Sequence, residues 1–392
     1  MRSFSDVGIH RDAYRTEFPR ERTDLLPTEF VWRDPASIPP REWVYGHHLI
    51  RKQVSVTVAA GGIGKSSLTI CEALAMASGR ELLGDWTAKD LKVWIYNLED
   101  PRDEMDRRII AAMQHHQVGP EEITGRLYVD TGRERALCTA IQTRDGVQII
   151  KPEMDALAAE IGARGIDVLV IDPFISSHQA LENDNGAIDL IAKEWARLAE
   201  RCNCAIELVH HTRKTNGEEA TTESGRGASA LLAAARSGRV LNKMSNELKD
   251  QAGVLNDPAT YFSITRDKTN LAHMGDRVWR RMASVHLTNG DSVGVAEVWE
   301  WPGLFDGVTV KELLSVQRAL SGKGLRYSEQ AKEGWAGDEV AAVLKLDVKA
   351  DRKRIKKLIE AWLESGALVK DKKSGLQRKP VVTLEVGEWA TQ

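Results

Sequence analysis

Ala59-Ala60-Gly61-Gly62-Ile63-Gly64-Lys65-Ser66-Ser67 is led into by an apolar run, Val54-Ser-Val-Thr-Val58, and followed by an alanine-rich run, Leu68 to Ala77. Strand, glycine loop and helix in that order form the setting in which a phosphate-binding loop makes physical sense. Glycines let the backbone curl so that several N–H groups converge on an anion. The helix N-terminus behind them adds partial positive charge. Ala60, Gly61, Gly62, Ile63, Gly64, Lys65, Ser66 and Ser67 are therefore the expected nucleotide-binding residues. Lys65 would reach the β- and γ-phosphates of ATP, and the Ser66 hydroxyl would ligate Mg²⁺. The usual pattern, G-x-x-x-x-G-K-[ST], begins with a glycine where this chain has Ala59. The plainer alternative is a glycine-rich turn between core elements.

The bulk numbers bound the setting. A chain of 392 residues suggests two domains, and 42% apolar with 28% charged residues describes an ordinary globular protein. No apolar run approaches the ~20 residues that cross a bilayer. The start, Met1-Arg-Ser-Phe-Ser-Asp-Val7, is too polar for a signal peptide, so a cytoplasmic protein without membrane partners is expected. Cys202 and Cys204 have no second pair at metal-binding spacing, and Cys71 and Cys138 stand alone, so buried free thiols are expected. Net charge is −3, but twelve Lys/Arg against five Asp/Glu between Lys345 and Lys379 give that stretch +7 and leave −10 elsewhere. A basic module joined to a mildly acidic one follows.

Residues 1–40 are polar and proline-punctuated and read as an irregular lead-in. Trp43-Val-Tyr45 could pack on an adenine or form a core edge. Beyond the glycine loop, Leu91–Leu98, Ile166–Ile171 and Cys204–Val209 are near-continuous apolar runs of the kind covered on both faces. Helices are expected from about Arg102, over Lys151–Gly165 and over Ala187–Arg201. This alternation predicts an α/β domain with a mainly parallel sheet over 41–303. Tyr261–Thr265, Val278–Val285 and Val295–Trp301 read as antiparallel strands closing its edge. Over 304–392, helices at Val310–Leu320, Gly337–Leu344 and Asp351–Ser365, then strands at Ala367–Val369 and Pro380–Leu384, follow the plan of a winged helix.

Open α/β sheets bind ligands beyond the carboxyl ends of their strands. Asp172 ends an apolar strand and is placed to hold Mg²⁺; the alternative is a turn-starting aspartate. Glu99 ends another and is placed as the base that orients the attacking water, with Asp100 as competitor. His210-His211 end a third. A metal reading lacks a third ligand at suitable spacing, and a γ-phosphate sensor fits better. Positive charge at the γ-phosphate would come from Arg226, Arg236 or the Arg266-Asp-Lys268-Thr-Asn270 cluster, in part from a neighbouring subunit.

The ordered set A-x-G-G-x-G-K-S-S, strand-E-D-P, hhhhD, H-H-x-x-K, R-G-x-S with a later Arg, and K-x-N resembles the RepA-type hexameric ATPases over roughly residues 40–300. These are RecA-like proteins that include a plasmid replicative helicase. The resemblance implies a RecA-like P-loop core of strand order 5-1-4-3-2, a ring of subunits, and catalysis with Lys65 and Glu99. It also implies that His211 is the switch residue, Arg236 the arginine finger and Lys268 a further basic residue near the phosphates. The chain departs at Ala228, usually serine. Trp335-Ala-Gly337 and Trp362-Leu-Glu-Ser-Gly-Ala-Leu368 resemble the tail of longer RepA-like ATPases of prophages and mobile elements.

Arg352, Lys353, Lys356, Lys357, Lys372 and Lys373 are the expected DNA contacts. The expected function is thus an ATP-hydrolysing DNA motor or remodelling protein, a ring helicase for a mobile element. The alternatives are a DNA-binding regulator that uses ATP to switch assembly, or a nucleotide-dependent scaffold. The segment Thr215–Gly225 is the expected DNA-facing loop.

Overall fold

Apolar side chains on both faces of five central strands dictate a sheet sandwiched between helices. In the computed structural model, Val54, Val56, Val58, Leu169, Ile171, Ile206 and Leu208 face one helical layer. Ala59, Val93, Ile95, Val168, Val170 and Val209 face the other. Alternate residues of each strand point to opposite faces, so such strands need cover on both sides. The structure describes residues 26–212, 219–221, 228–252, 254, 257, 260–269, 271, 277–301, 303–331, 333–349, 351–373 and 381–391. Arg226, Asn270 and most of Thr215–Gly225 lie outside the described residues, as do the side chains of Lys268 and Lys373.

Met1–Arg41 is a unit of its own. Its described part is exposed, with one 3-10 turn at Pro35–Ser37 capped by Asp34, whose carboxylate accepts from the Ala36 N–H at 2.9 Å. The second unit, Glu42–Gln392, begins with a small antiparallel pair, β1 (Trp43–Tyr45) and β2 (Leu49–Ile50). There follow β3 (Val54–Ala60), α1 (Lys65–Ser78), β4 (Val93–Asn97), α2 (Arg102–His116), α3 (Pro120–Ile123) and β5 (Leu127–Thr131). A hairpin, β6 (Ala140–Thr143) and β7 (Gly146–Ile149), precedes α4 (Lys151–Arg164), β8 (Val168–Asp172), α5 (Asn185–Cys202) and β9 (Ala205–Thr212). Then come α6 (Ala228–Ala234), β10 (Ser237–Lys243), α7 (Asn246–Ala252), β11 (Tyr261–Thr269), β12 (Val278–His286) and β13 (Ser292–Trp299).

The large sheet has nine strands in the order β13-β12-β11-β10-β3-β9-β8-β4-β5. From β10 to β5 every pairing is parallel, and β11, β12 and β13 close the edge antiparallel. The run β10-β3-β9-β8-β4 is the order 5-1-4-3-2 that the resemblance implies. The hairpin β6–β7 carries no strong strand signal in the sequence; Ala140 packs into the core from it. The four cysteines are free, but only Cys71 and Cys204 are buried as expected; Cys138 and Cys202 are half-buried.

A buried ionic network lies between the sheet and α1. Ser55 and Thr57 interrupt the apolar pattern of β3 on the α1 side. Arg239 of β10 donates two hydrogen bonds of 2.6 Å to Glu72 of α1 and a third, of 2.7 Å, to Thr57. Glu207 of β9 accepts from Thr57 and lies 2.9 Å from His48 Nε2, while His48 Nδ1 meets Ser237 at 2.9 Å. Burial alone pushes the Glu207 carboxyl up, but His48, Arg239 and Thr57 outweigh it and hold the carboxyl below its usual range.

The C-terminal stretch builds a separate apolar core from α8 (Val310–Leu320), α9 (Ala336–Leu344), α10 (Arg352–Glu364), β14 (Leu368–Lys373) and β15 (Val381–Val386). A capping box at Thr309 and Glu312 starts α8. Ile355, Leu358, Ile359 and Trp362 of α10 are buried together with Trp335 and Leu384.

Replacing Arg239 with Met would leave the Glu72 carboxylate buried without its cation and Glu207 with His48 alone. The expected loss of stability is about 3–5 kcal/mol, read from the midpoint of urea unfolding; a loss below about 1 kcal/mol would contradict the clamp.

Candidate functional site

The carboxyl ends of β3, β4, β8 and β9 converge on one cleft of about 680 Å³, lined by the glycine loop, Glu99, Asp100, residues of α2, His211 and the β12–β13 hairpin. Register brings the parts together: Ala59 pairs with His211, and Asn97 with Asp172.

The loop is built by its glycines. Gly62 has φ 70° and Gly64 φ 110°, backbone regions that side chains disfavour. Gly64 is also packed: a Cβ there would lie 2.9 Å from the Met282 sulfur. Ala59, by contrast, still belongs to β3, is fully buried, and needs no positive φ. That is why alanine is accepted at the first loop position. No side chain caps the start of α1, so its first N–H groups are open toward the cleft, as an anion site requires. Ile63 is a core residue, so only its backbone can serve a ligand.

Lys65 is buried, and its Nζ donates to the carbonyls of Ala59 at 3.1 Å and Ala60 at 2.9 Å. Burial pulls its pKa down to about 8, against the pull of Asp172 and Glu99. Asp172 is pushed up to about 6 by burial, while a hydrogen bond from the Ser66 hydroxyl and the charge of Lys65 act the other way. Ser66 and Asp172 thus form a hydroxyl–carboxylate pair beside the loop, a donor set that suits a hydrated Mg²⁺.

The Ser67 side chain is engaged by the edge of the sheet. Its hydroxyl donates to Gly294 O at 3.0 Å and accepts from Ala296 N at 2.9 Å. That side chain ties α1 to β13, which leaves only its backbone N–H for a nucleotide. Tyr45 is a core residue, buried in the apolar cluster on the α1 side of the sheet, while Trp43 is half-buried.

Asn97 caps the turn after β4, its Oδ1 accepting from the N–H groups of Glu99 at 3.0 Å and Asp100 at 2.7 Å. The two carboxylates differ sharply. Asp100 is held at 2.9 Å by Arg108, which also bonds Glu104. The Glu99 carboxylate is exposed in the cleft and makes no hydrogen bond or ion pair among the described residues. Strand alternation splits the histidine pair. His211 faces the loop, and burial and then Lys65 hold its pKa at about 4. His210 points to the opposite face, against Phe174. No metal-binding group of His, Cys, Asp or Glu is found among the described residues.

Arg236 is not in this cleft. Its N–H donates to Val54 O at 3.0 Å, at the start of β3 and six residues before the loop, roughly 20 Å away at strand rise. It is exposed there, and the β10–β11 register places Lys268 opposite Gly238, at the same end. The two candidates therefore lie together, away from their own chain's loop. Sequence reading missed Glu104, Arg107 and Arg108 of α2, and Asp291 and Ser292 of the hairpin, which also line the cleft. Arg107 reaches Asp291 at 2.9 Å and so bridges α2 to the hairpin. No local signal marks these residues.

The expected DNA contacts divide too. Lys353, Lys357 and Lys372 are exposed. Arg352 stacks 4.6 Å over Trp335, and Lys356 pairs with Glu329 at 3.0 Å.

Glycine loop, open helix start and strand-end carboxylate define an α/β nucleotide-binding protein of the P-loop class. Residues 19–217, just over half of the chain, match the AAA domain family, and the chain belongs to that family. Among solved structures it is similar to a DnaB-like replicative helicase described with its interactions with primase: TM-score 0.42, 14% identity, covering 59% of this chain. The match spans 57% of that helicase chain. It is similar also to the RadB recombinase, at TM-score 0.38 and 12% identity, over 59% of this chain and 88% of that one. No helix among the described residues is long and apolar enough to cross a membrane.

Gly64→Ala is expected to weaken binding of a fluorescent ATP analogue at least tenfold, because both backbone and Met282 oppose a side chain. Ala59→Gly should change it less than about threefold; a large change there would mean that the loop is held differently.

Proposed function

We propose that this protein is an ATP-hydrolysing DNA motor or remodelling protein, a RepA-like ring helicase acting in replication of a mobile element. The observation that carries the reading is the contrast at the end of β4. Asp100 is tied to Arg108, while Glu99 stands unengaged in the same cleft as Lys65, with Ser66 and Asp172 paired beside them.

In this reading ATP lies with its phosphates on residues 60–67, and Mg²⁺, held through Ser66 and Asp172, supplies charge neutralisation. Lys65 stabilises the charge on the transferring phosphoryl group. Glu99 orients the attacking water and accepts its proton. His211, neutral at physiological pH with its pKa near 4, donates a hydrogen bond to the γ-phosphate and senses its loss. Arg236, with Lys268 beside it in register, serves the cleft of the next subunit. Their shared position, far from their own loop, supports an interfacial role and hence a homo-oligomeric ring. Arg226 is a further candidate from the same side of the sequence. The three helices and two strands after residue 303 form a winged helix that holds DNA through its basic face. The DnaB-like and RadB neighbours, a replicative helicase and a recombinase by name, suit a DNA partner.

ATP turnover with and without single-stranded DNA tests the motor. Stimulation is expected, and a rate indifferent to DNA would sink it. Glu99→Gln should keep ATP binding and lose at least a hundredfold in turnover, whereas Asp100→Asn should cost under tenfold. Equal losses from the two would remove Glu99 from its role. Because His211 stays neutral above about pH 5, His211→Ala should lower the rate by the same factor at pH 6 and pH 8. A factor that changes between the two would mean that the histidine titrates during turnover.

A further inference from the structure

We infer that Asn97 is a positioning residue for Glu99: with Arg133 it fixes the backbone from which the Glu99 carboxylate reaches into the cleft. The inference rests on the reading of Glu99 as the base. That carboxylate is exposed and makes no hydrogen bond or ion pair among the described residues. Nothing at its tip therefore sets its place before a ligand arrives. A base has to stand in line with the water it orients, and a misplacement of about 1 Å can cost on the order of a hundredfold in rate. For a side chain that is free at its tip, such placement depends on how firmly its root is held.

The root of Glu99 is held from three elements. Asn97 is the last residue of β4 and is only 2% exposed. Its Oδ1 accepts from the Glu99 N–H at 3.0 Å and the Asp100 N–H at 2.7 Å, closing a short side-chain turn over the strand end. From the end of β5, Arg133 Nε donates to the Glu99 carbonyl at 2.8 Å, and the Gly132 N–H donates to the Asn97 carbonyl at 2.7 Å. From β8, the Asp172 carbonyl accepts from the Leu98 N–H at 2.7 Å. The two turns are packed close: a Cβ at Gly132 would lie 2.9 Å from the Leu98 Cα. Both backbone polar groups of Glu99 thus have a partner, while its carboxylate has none. Pairing of β4 with β5 and β8 uses the Asn97 backbone, and the four residues before it, Val93 to Tyr96, are large and apolar or aromatic. An apolar residue at 97 would serve the strand equally well. What the amide adds is the hold on the Glu99 and Asp100 N–H groups.

ATP turnover and affinity for a fluorescent ATP analogue, measured on the full-length protein and its variants, test this. Asn97→Ala should lower kcat by about tenfold or more and change the affinity by less than about threefold. In a Glu99→Gln background the same substitution should cost less than about threefold, because a residue that acts through Glu99 then has nothing left to position. Arg133 is exposed, so Arg133→Ala should fold; it should lower kcat by about threefold or more with the affinity kept. An equal loss from Asn97→Ala in both backgrounds, or a loss of affinity that matches the loss of rate, would make Asn97 a structural cap and overturn the inference. So would an unchanged kcat in Asn97→Ala or, should that variant not fold, in Arg133→Ala; either result leaves Glu99 as the base. A parental rate in Glu99→Gln alone removes the reading of Glu99 and the inference with it.

Discussion

The glycine loop can present its N–H groups to an anion only if α1 is held firmly behind it. The Arg239–Glu72 pair supplies that hold. Two hydrogen bonds of 2.6 Å join β10 to the second turn of α1 beneath the sheet's own cover. Thr57, Glu207, His48 and Ser237 complete the set, so the strands on either side of β3 share the same clamp. A buried pair of this kind adds little net stability against apolar packing, but breaking it is costly. Its contribution is position: a geometrically demanding link fixes where the helix begins, through directional bonds that non-directional apolar contacts lack. The Ser67 hydroxyl repeats the logic at the start of α1, tying the helix to β13 through both of its hydrogen-bonding roles.

From that anchored loop the chemistry of the cleft follows by sheet geometry. Parallel strands end at one edge, so whatever follows them is delivered to one place. Alternation then sorts the delivered residues. His211 shares a face with the loop, and His210 is sent to the other side and buried among Phe174 and His178. Neighbouring side chains sort the carboxylates: Arg108 occupies Asp100 and leaves Glu99 available. Burial lowers the pKa of Lys65 and raises that of Asp172, so each sits in a poorly solvated place that a phosphate and a metal ion would relieve.

Much of this was legible in the chain. The phosphate loop, the strand-end positions of Glu99, Asp172 and His211, and the antiparallel edge all rest on local rules of glycine conformation, β-branched runs and polar strand ends. The structure agrees with them to within a few residues. Arg107, Arg108 and Asp291 escaped because nothing local distinguishes a helical arginine that faces a cleft from one that faces water. The clamp left a faint trace. Ser55 and Thr57 in β3, Glu207 in β9 and Glu72 in an alanine-rich helix each break an apolar pattern, and four polar interruptions at buried positions imply that they meet.

The sequence by itself determined most of the strands and helices, though not β6, β7 or β10, and also where the anion-binding backbone lies and which residue types reach it, because φ restrictions and burial periodicity act over a few residues. Only the tertiary structure decided which side chains are already occupied: Asp100 by Arg108, Ser67 by β13, Arg352 and Lys356 by Trp335 and Glu329. It alone separated Arg236 from the loop of its own chain, through the parallel register of β10 and β3. Occupancy and distance depend on partners far away in the chain, and only folding brings those partners within the few ångströms over which hydrogen bonds and ion pairs act. The loop at residues 59–67 could announce a nucleotide unaided; which groups stand free to act on it is a property of the assembled sheet.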